Sequence, residues 1–330
     1  PCPQPVGSGA GRRPIRRAED TARMVRYILV RLAQAIPVLF GVTLFTFLMA
    51  HLTPGDPVLI FSLGKPLSPE RAEQIRHQYG LDKPLWQQYG DYMGDLLHGD
   101  LGHGLHDQRP VWDTISEAVP PTVQLTLSGL AVALALGVSL GILAAIFHNS
   151  WLDSLAMVVA LIGVSTPVFY LGLLLLFVFS FQIHLFPATG INGWKTMVLP
   201  ALTIGFASSA YIARLVRSSM LEVLRQDYVT TARAKGLVQR VVVVRHALKN
   251  ALIPVVTYFG IQLAGLLTGA VVTEQIFSRP GLGRVAITAI NNRDFPLIQG
   301  TVLVTAVIYV LVSLVVDLSY AFIDPRIRYE

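Results

Sequence analysis

The sequence predicts an all-α, polytopic membrane protein with about six spans, and three observations carry that prediction. First, 53% of its 330 residues are hydrophobic and 14% are charged, where a soluble domain averages roughly 25% charged; the mean hydropathy is +0.55. Second, six stretches hold no Asp, Glu, Lys or Arg: 32–55, 118–152, 154–194, 196–213, 250–273 and 295–316. Each can supply the roughly 20 predominantly apolar residues that a hydrocarbon crossing needs. Third, charge is sorted by segment. Residues 51–117 hold five basic against ten acidic residues, whereas 214–250 hold eight basic against two acidic. Disorder is excluded, because it needs low hydrophobicity and high charge, and an ordinary soluble enzyme is disfavoured.

Residues 1–23 are polar, carry five Arg against Glu19 and Asp20, and contain Cys2, the only cysteine. They are read as an extension outside the fold, with Met24 as the natural start. The competing reading, a basic arm for nucleic acid, is set aside, and one cysteine cannot build a disulfide framework. The first span is expected from about Tyr27 to Ala50 within 24–52, too long for a cleaved signal. Residues 53–120 form an enlarged extracytoplasmic segment.

Within that segment Ser68-Pro69-Glu70 reads as an N-cap with proline at the first helical position, and Gly80 is placed to end that helix. In 84–97 the residues Leu85, Trp86, Tyr89, Tyr92, Met93, Leu96 and Leu97 recur at three-to-four spacing, which predicts an amphipathic helix. It packs on the span tops or bilayer interface, or else docks an external partner. His98, His103 and His106 beside Asp95, Asp100 and Asp107 raise a metal site, against which stands a Gly-rich turn with solvated imidazoles. No metal site is assigned.

Residues 121–324 hold the other five spans. Thr122–Phe147 is rich in Gly and Ala and suited to close helix approach. The third, about Ser154–Gln182, should bend or break at Pro167. The fourth runs about Thr196–Arg214, the fifth Ala251–Thr273 and the sixth Leu297–Val316, leaving 325–330 as a tail. Basic residues in short loops stay cytoplasmic, so the 214–250 loop and both termini are expected inside.

Chemistry is mostly absent. There is no G-x-x-x-x-G-K-[ST] phosphate loop and no H-E-x-x-H. The spans carry no midmembrane charge of the kind an ion-coupled carrier usually needs, and no nucleophile–base pair is apparent. The informative stretch is the loop 217–250. Leu221, Leu224, Tyr228 and Ala232 recur at 3, 4 and 4 residues and predict one apolar helical face. Asp227 supports a helix start within it, and Gly236 can end the turn in a left-handed conformation. That face is buried either on the chain's own span ends or in a groove on a soluble partner.

Here the sequence resembles a known family. The run DYVTTARAKGL, with Thr230-Thr231-Ala232 and Gly236, resembles the EAA loop of binding-protein-dependent ABC importer permeases, in the form of the dipeptide/oligopeptide branch. Thr230 stands where the motif usually has Glu, and His246-Ala247-Leu248-Lys249 replaces its distal Ile-x-Leu-Pro. The similarity continues from Met24 to the C-terminus through RLAQAIPVLFGVTLFTFLMAHLTPGDP, YGLDKPLWQQY, GDLG, STPVFYLG, LFPATG, LPALT, YIARLVRSSMLEVLRQDYV, RHALKNALIPVV, TEQIFSRPGLGR and DPRIRY.

The resemblance implies the type I ABC importer transmembrane fold in a bacterial cytoplasmic membrane. It implies a non-catalytic permease for dipeptides or short oligopeptides, with nickel, glutathione or another small solute as the alternative. The partners it implies are a second permease in a heterodimer, two ABC ATPases that bind ATP and Mg, and an extracytoplasmic peptide-binding protein. Residues 227–237 would be the coupling helix: Tyr228, Thr231, Ala232 and Gly236 in contact, Arg233 and Lys235 as rim charge, with Asp227, Thr230 and Leu237 beside them. The path would be lined partly by Gly260, Gln262, Gly265 and Thr268. TEQIFSRPGLGR, 273–284, would be an outer turn supporting a gate. A stand-alone ion-coupled carrier is the reading from another class.

Overall fold

The computed structural model describes residues 12–52, 68–78 and 82–323. Residues 53–67, Gly80, the 325–330 tail and Cys2 lie outside the described residues. Among those described the regular structure is helical, apart from one isolated bridge between His103 and Pro110. In order come α1 (Arg12–Leu52), α2 (Pro69–Gln78), α3 (Leu85–Leu97), α4 (Val111–Ile146), α5 (Trp151–Ser165), α6 (Val168–Leu175), α7 (Lys195–Leu224) and α8 (Asp227–Ala234). A broken helical run, α9 (239–251), then leads into α10 (Ile253–Ile276), α11 (Leu282–Asn292) and α12 (Phe295–Ile323). α1 begins at Arg12, so helix extends into the 1–23 segment that the sequence reading kept outside the fold.

Among the described residues, four helical stretches are long and apolar enough to cross a membrane alone: Met24–Leu52, Val111–Ile146, Lys195–Leu224 and Phe295–Leu318. A fifth candidate is the pair α5 and α6, bent by 106°. The break is where Pro167 was expected to cause it. A residue before proline is pushed out of the helical region; Thr166 has ψ 122° and Pro167 ψ 134°, so two consecutive residues leave the helix. α6 then continues as a π-helical turn, Leu176–Gln182. α10 carries the charge-free stretch 250–273 over most of its 24 residues, with Pro254 in its first turn.

The core is built on α4 and α7, the most extensive helix pair among the described residues. Their contact is set by missing side chains. A β-carbon on Gly137 would sit 2.6 Å from Cβ of Ile212 and 2.7 Å from the Ser209 carbonyl, and one on Gly141 would sit 2.6 Å from Cβ of Val216. Gly129 abuts Ile204 in the same way, and a β-carbon on Gly205 would sit 2.6 Å from the Gly129 carbonyl oxygen. Four glycines along two helices therefore let the backbones approach, the contact that small residues permit in a membrane.

α7 is longer than expected, running to Leu224 rather than Arg214. Charge ends the hydrocarbon stretch but not the helix: past Arg214, Val216, Met220 and Val223 keep a buried stripe at helical spacing. Outside the bundle, Ser68 caps α2 by accepting from the Arg71 N–H at 3.3 Å. α3 packs on the end of α1, with Tyr89 edge-on to Phe40 and Phe47 and hydrogen-bonded to Thr43 at 3.0 Å. Trp86 and Leu97 stay exposed.

Replacing Gly137 with Leu should overpack the α4–α7 seam and cost about 1–3 kcal/mol. A melting curve in detergent should move down accordingly. Gly41→Ala, where no atom lies within 4 Å of the added carbon, should leave it unchanged.

Candidate functional site

α8 is the short helix on which the sequence reading centred. It starts cleanly: Gln226 is extended at ψ 149°, and Asp227 opens the first turn, where a negative charge complements the exposed N–H groups. It also ends cleanly. Gly236 has φ +78°, the left-handed conformation that favours glycine, and its N–H donates to the Arg233 carbonyl at 2.9 Å.

The apolar face differs from the expected one. No single helix runs from Leu221 to Ala232, because the chain leaves the helix at Arg225 and Gln226. Val229, fully buried, and Ala232, 6% exposed, turn inward. They join Ile212, Val216, Met220 and Val223 of α7 with Val242, Val243 and Ala247 of α9, continuous with Val255 of α10. Leu221 and Leu224 pack on this cluster from the side. Ala232, expected in contact with a partner, is thus packed on its own chain. Burying Val229 alone is worth about 1.5–3 kcal/mol.

The opposite face is open. Asp227, Thr230, Thr231, Arg233, Lys235, Gly236 and Leu237 are all exposed, and no atom lies within 4 Å of a β-carbon placed on Gly236. Tyr228 is 39% exposed and does two things. Its ring edges the open face, while its hydroxyl accepts from Asn250 Nδ2 at 2.7 Å and donates to the His246 carbonyl at 3.4 Å. Neither Asn250 nor His246 was expected as a partner of Tyr228, since nothing in the sequence indicates an 18- or 22-residue return. Val238, 66% exposed beside Leu237, extends the open apolar surface.

The end of α7 above this site is pinned by an ion pair that the sequence did not suggest. Arg217 grips Asp153 with two bonds of 2.7 Å, Nε to Oδ1 and Nη2 to Oδ2. The Asn149 N–H adds a bond to Oδ2 at 3.0 Å, and Ser150 caps α5. The pair fastens the α4–α5 turn to α7 with the carboxylate 7% exposed.

Of the four expected path residues, Gly260 and Thr268 lie in α10 at positions whose side chains are outside the description. Gln262 hydrogen-bonds Ser208 of α7, and Gly265 faces open space. The 273–284 turn is a sharper finding. Glu274, fully buried, accepts from the Gly283 N–H at 2.8 Å and the Arg284 N–H at 3.2 Å, capping α11, and from the Thr122 hydroxyl. Thr122 in turn accepts from the Leu282 N–H at 2.8 Å. A β-carbon on Gly281 would collide with the Glu274 carboxylate and one on Gly283 with Val271, which explains the G-L-G spacing. Farther out, Asp294 accepts from the Leu105 N–H at 2.9 Å and fastens the outer loop to the start of α12. Among the described residues no three His, Cys, Asp or Glu approach as metal ligands; His98 bonds the Gly94 carbonyl at 2.8 Å.

Comparison with known proteins identifies the family. Residues 137–329 match the family described as binding-protein-dependent transport system inner membrane component, and residues 24–126 match the N-terminal region of the same kind of membrane component. The chain is 44% identical over 334 residues to the dipeptide transport system permease protein of Alkalihalophilus pseudofirmus, covering 93% of this chain and all of that one. It is 42% identical over 307 residues to the glutathione transport system permease protein of Escherichia coli K12, with the same coverage. Its fold resembles an inward-facing structure of the MetNI methionine ABC transporter, with a TM-score of 0.55 and 18% identity over 64% of this chain and 96% of that one.

Removing Arg217, itself 27% exposed, strands the 7%-exposed Asp153 carboxylate, at a cost of up to about 3 kcal/mol, the low end of the range for a buried pair. Arg217→Gln should therefore lower the thermal midpoint markedly. Adding Asp153→Asn should recover much of the loss, and a double-mutant cycle on purified protein measures both.

Proposed function

Because the chain belongs to the family of binding-protein-dependent transport system inner membrane components, we propose that α8 is its coupling helix, through which partner ATPases drive the import of dipeptides or short oligopeptides. One observation carries this reading: α8 has one face open and the other packed into the apolar core that joins α7, α9 and α10. A helix with both properties can receive a push from outside and pass it to helices that cross the membrane.

In this reading the chain has six spans, counting α10 and the bent α5–α6 pair, with both termini and α8 on the cytoplasmic side. The excess of Arg and Lys in 214–250 sets that orientation. The enlarged segment before α4 lies on the other side, where a peptide-binding protein delivers the solute. A second permease completes the path, lined in part by Gly260, Gln262, Gly265 and Thr268. Two ATPase subunits hold ATP and Mg, and this chain contributes no catalytic group.

The open residues of α8 have distinct parts. Tyr228, Thr231 and Gly236 make the contact, with Leu237 and Val238 extending it. Arg233 and Lys235 supply charge at the rim, while Asp227 and Thr230 shape the first turn. Ala232 acts from inside, holding α8 to α7. When ATP draws the ATPase pair together, the two coupling helices of the heterodimer approach and the spans turn outward; hydrolysis lets them relax. ATP shifts this equilibrium only by binding one arrangement better than the other. Glutathione is the second reading for the solute, since a relative equally covered by this chain is a glutathione permease.

A long charged side chain at Gly236 would project into the space a partner must fill. Gly236→Glu should leave membrane insertion intact and abolish ATP-dependent peptide uptake while ATP hydrolysis persists. Normal uptake in Gly236→Glu membranes would refute the assignment of α8. Pull-down of the native chain from detergent should bring a second permease and an ATPase pair with it.

A further inference from the structure

α1 meets the rest of the bundle mainly through α12, and beside that contact lies a slot. Its upper part is a cavity of about 470 Å³ walled by α1, α4, α10, α11 and α12. Its lower part, about 410 Å³, is lined by Arg31, Gln34, Ser313 and Asp317. Val38, Tyr309 and Val310 line both, so the two parts form one passage, apolar at one end and polar at the other.

The upper part is built to stay dry. Its threonines have no hydroxyl proton to offer: Thr301 donates to the Leu297 carbonyl at 2.7 Å, Thr305 to the Thr301 carbonyl at 2.7 Å, and Thr122 is engaged by Glu274 and the Leu282 N–H. Water in a cavity needs two to four polar partners, and this wall does not supply them. An apolar occupant fits instead. At the polar mouth Arg31 is 45% exposed; Nε donates to the Tyr27 hydroxyl at 3.0 Å and Nη2 pairs with Asp317 at 2.7 Å, leaving further donors of the five-donor fork. Arg26 is exposed at the same end of α1. From Arg31 to Val42 is eleven residues of helix, about 16 Å, close to one leaflet of a hydrocarbon core about 30 Å thick.

We propose that this slot is a lipid site: it takes one acyl chain of an anionic phospholipid from the leaflet on the Arg31 side, with the phosphate on the Arg31 guanidinium. The chain replaces the missing side-chain contact between α1 and α4, α10 and α11. The lipid thereby joins α1 to the bundle, and its charge selects the leaflet in which it sits. The inference rests on the chain being a multi-pass membrane protein and is independent of the solute carried.

The test uses the intact importer in phosphatidylethanolamine–phosphatidylglycerol nanodiscs doped with phosphatidylglycerol bearing a photoreactive acyl chain. Adducts should map to Val38, Val42, Thr305 and Tyr309. Ala306→Phe, which fills the slot, should reduce them several-fold, whereas Gly41→Ala should not. Arg31→Gln should lower the preference for the phosphatidylglycerol probe over its phosphatidylcholine analogue about fivefold, the pull of one basic residue at a membrane surface. Adducts spread evenly over exposed residues such as Leu161 and Phe177 would overturn the proposal. So would an Arg31→Gln preference equal to the native one, or a cysteine at 306 that cross-links to the second permease.

Discussion

The close approach of α4 and α7 is the constraint on which the rest of the structure depends. Gly129, Gly137, Gly141 and Gly205 remove the side chains that would hold these helices apart. At Gly137 and Gly141 the seam meets Ile212 and Val216, which belong to the cluster that buries Val229 and Ala232. Lipid supplies little hydrophobic drive between helices, so van der Waals packing has to carry their association. In the proposed coupling role the same packing also carries transmission. A helix held by buried contacts to α7 and α9 cannot move independently of them without opening a cavity.

At the other end, two carboxylates do the fastening. Glu274 caps α11 and ties it to α4 through Thr122, while Asp294 ties the outer loop to α12 through Leu105. Both are buried, and both have their oxygens engaged by backbone or hydroxyl donors, which is how a buried carboxylate is made tolerable. The bundle is therefore fastened by apolar packing at the α8 end and by polar caps at the other. Arg217 and Asp153 are the exception, a charged clasp set just where the apolar seam reaches the edge of the charge-free stretch.

Much of this was legible in the residues. Absence of charge located the long helices, Pro167 marked the break between α5 and α6, and Ser68 with Pro69 marked the start of α2. Gly236 announced its own left-handed turn. The misreadings share a cause. Periodicity across Leu221 to Ala232 is continuous in sequence, yet the helix breaks at Arg225–Gln226, and the phase of the buried stripe shifts to Val223, Val229 and Ala232. Local spacing cannot register a break that tertiary packing imposes, and it left burial on the chain itself or on a partner both open; the resemblance alone put Ala232 at a partner. Contacts between distant segments were equally invisible: Arg217 with Asp153, Tyr228 with Asn250, and Asp294 with Leu105 are separated by 64, 22 and 189 residues. The glycines of TEQIFSRPGLGR were apparent, but their reason, the Glu274 carboxylate lying against Gly281, needed the fold.

The account turns on α7 and α8 moving as one body. Spin labels at Ser218 and Thr231, both exposed, measure this in the importer as proposed, with a third label on its proposed second permease as reference. The Ser218–Thr231 distance should be the same without nucleotide and with ATP trapped, while the distance from Thr231 to the reference changes. A Ser218–Thr231 distance that shifts by several ångströms while Ser218 stays fixed to the reference would contradict it, because α8 would then be moving without carrying the bundle.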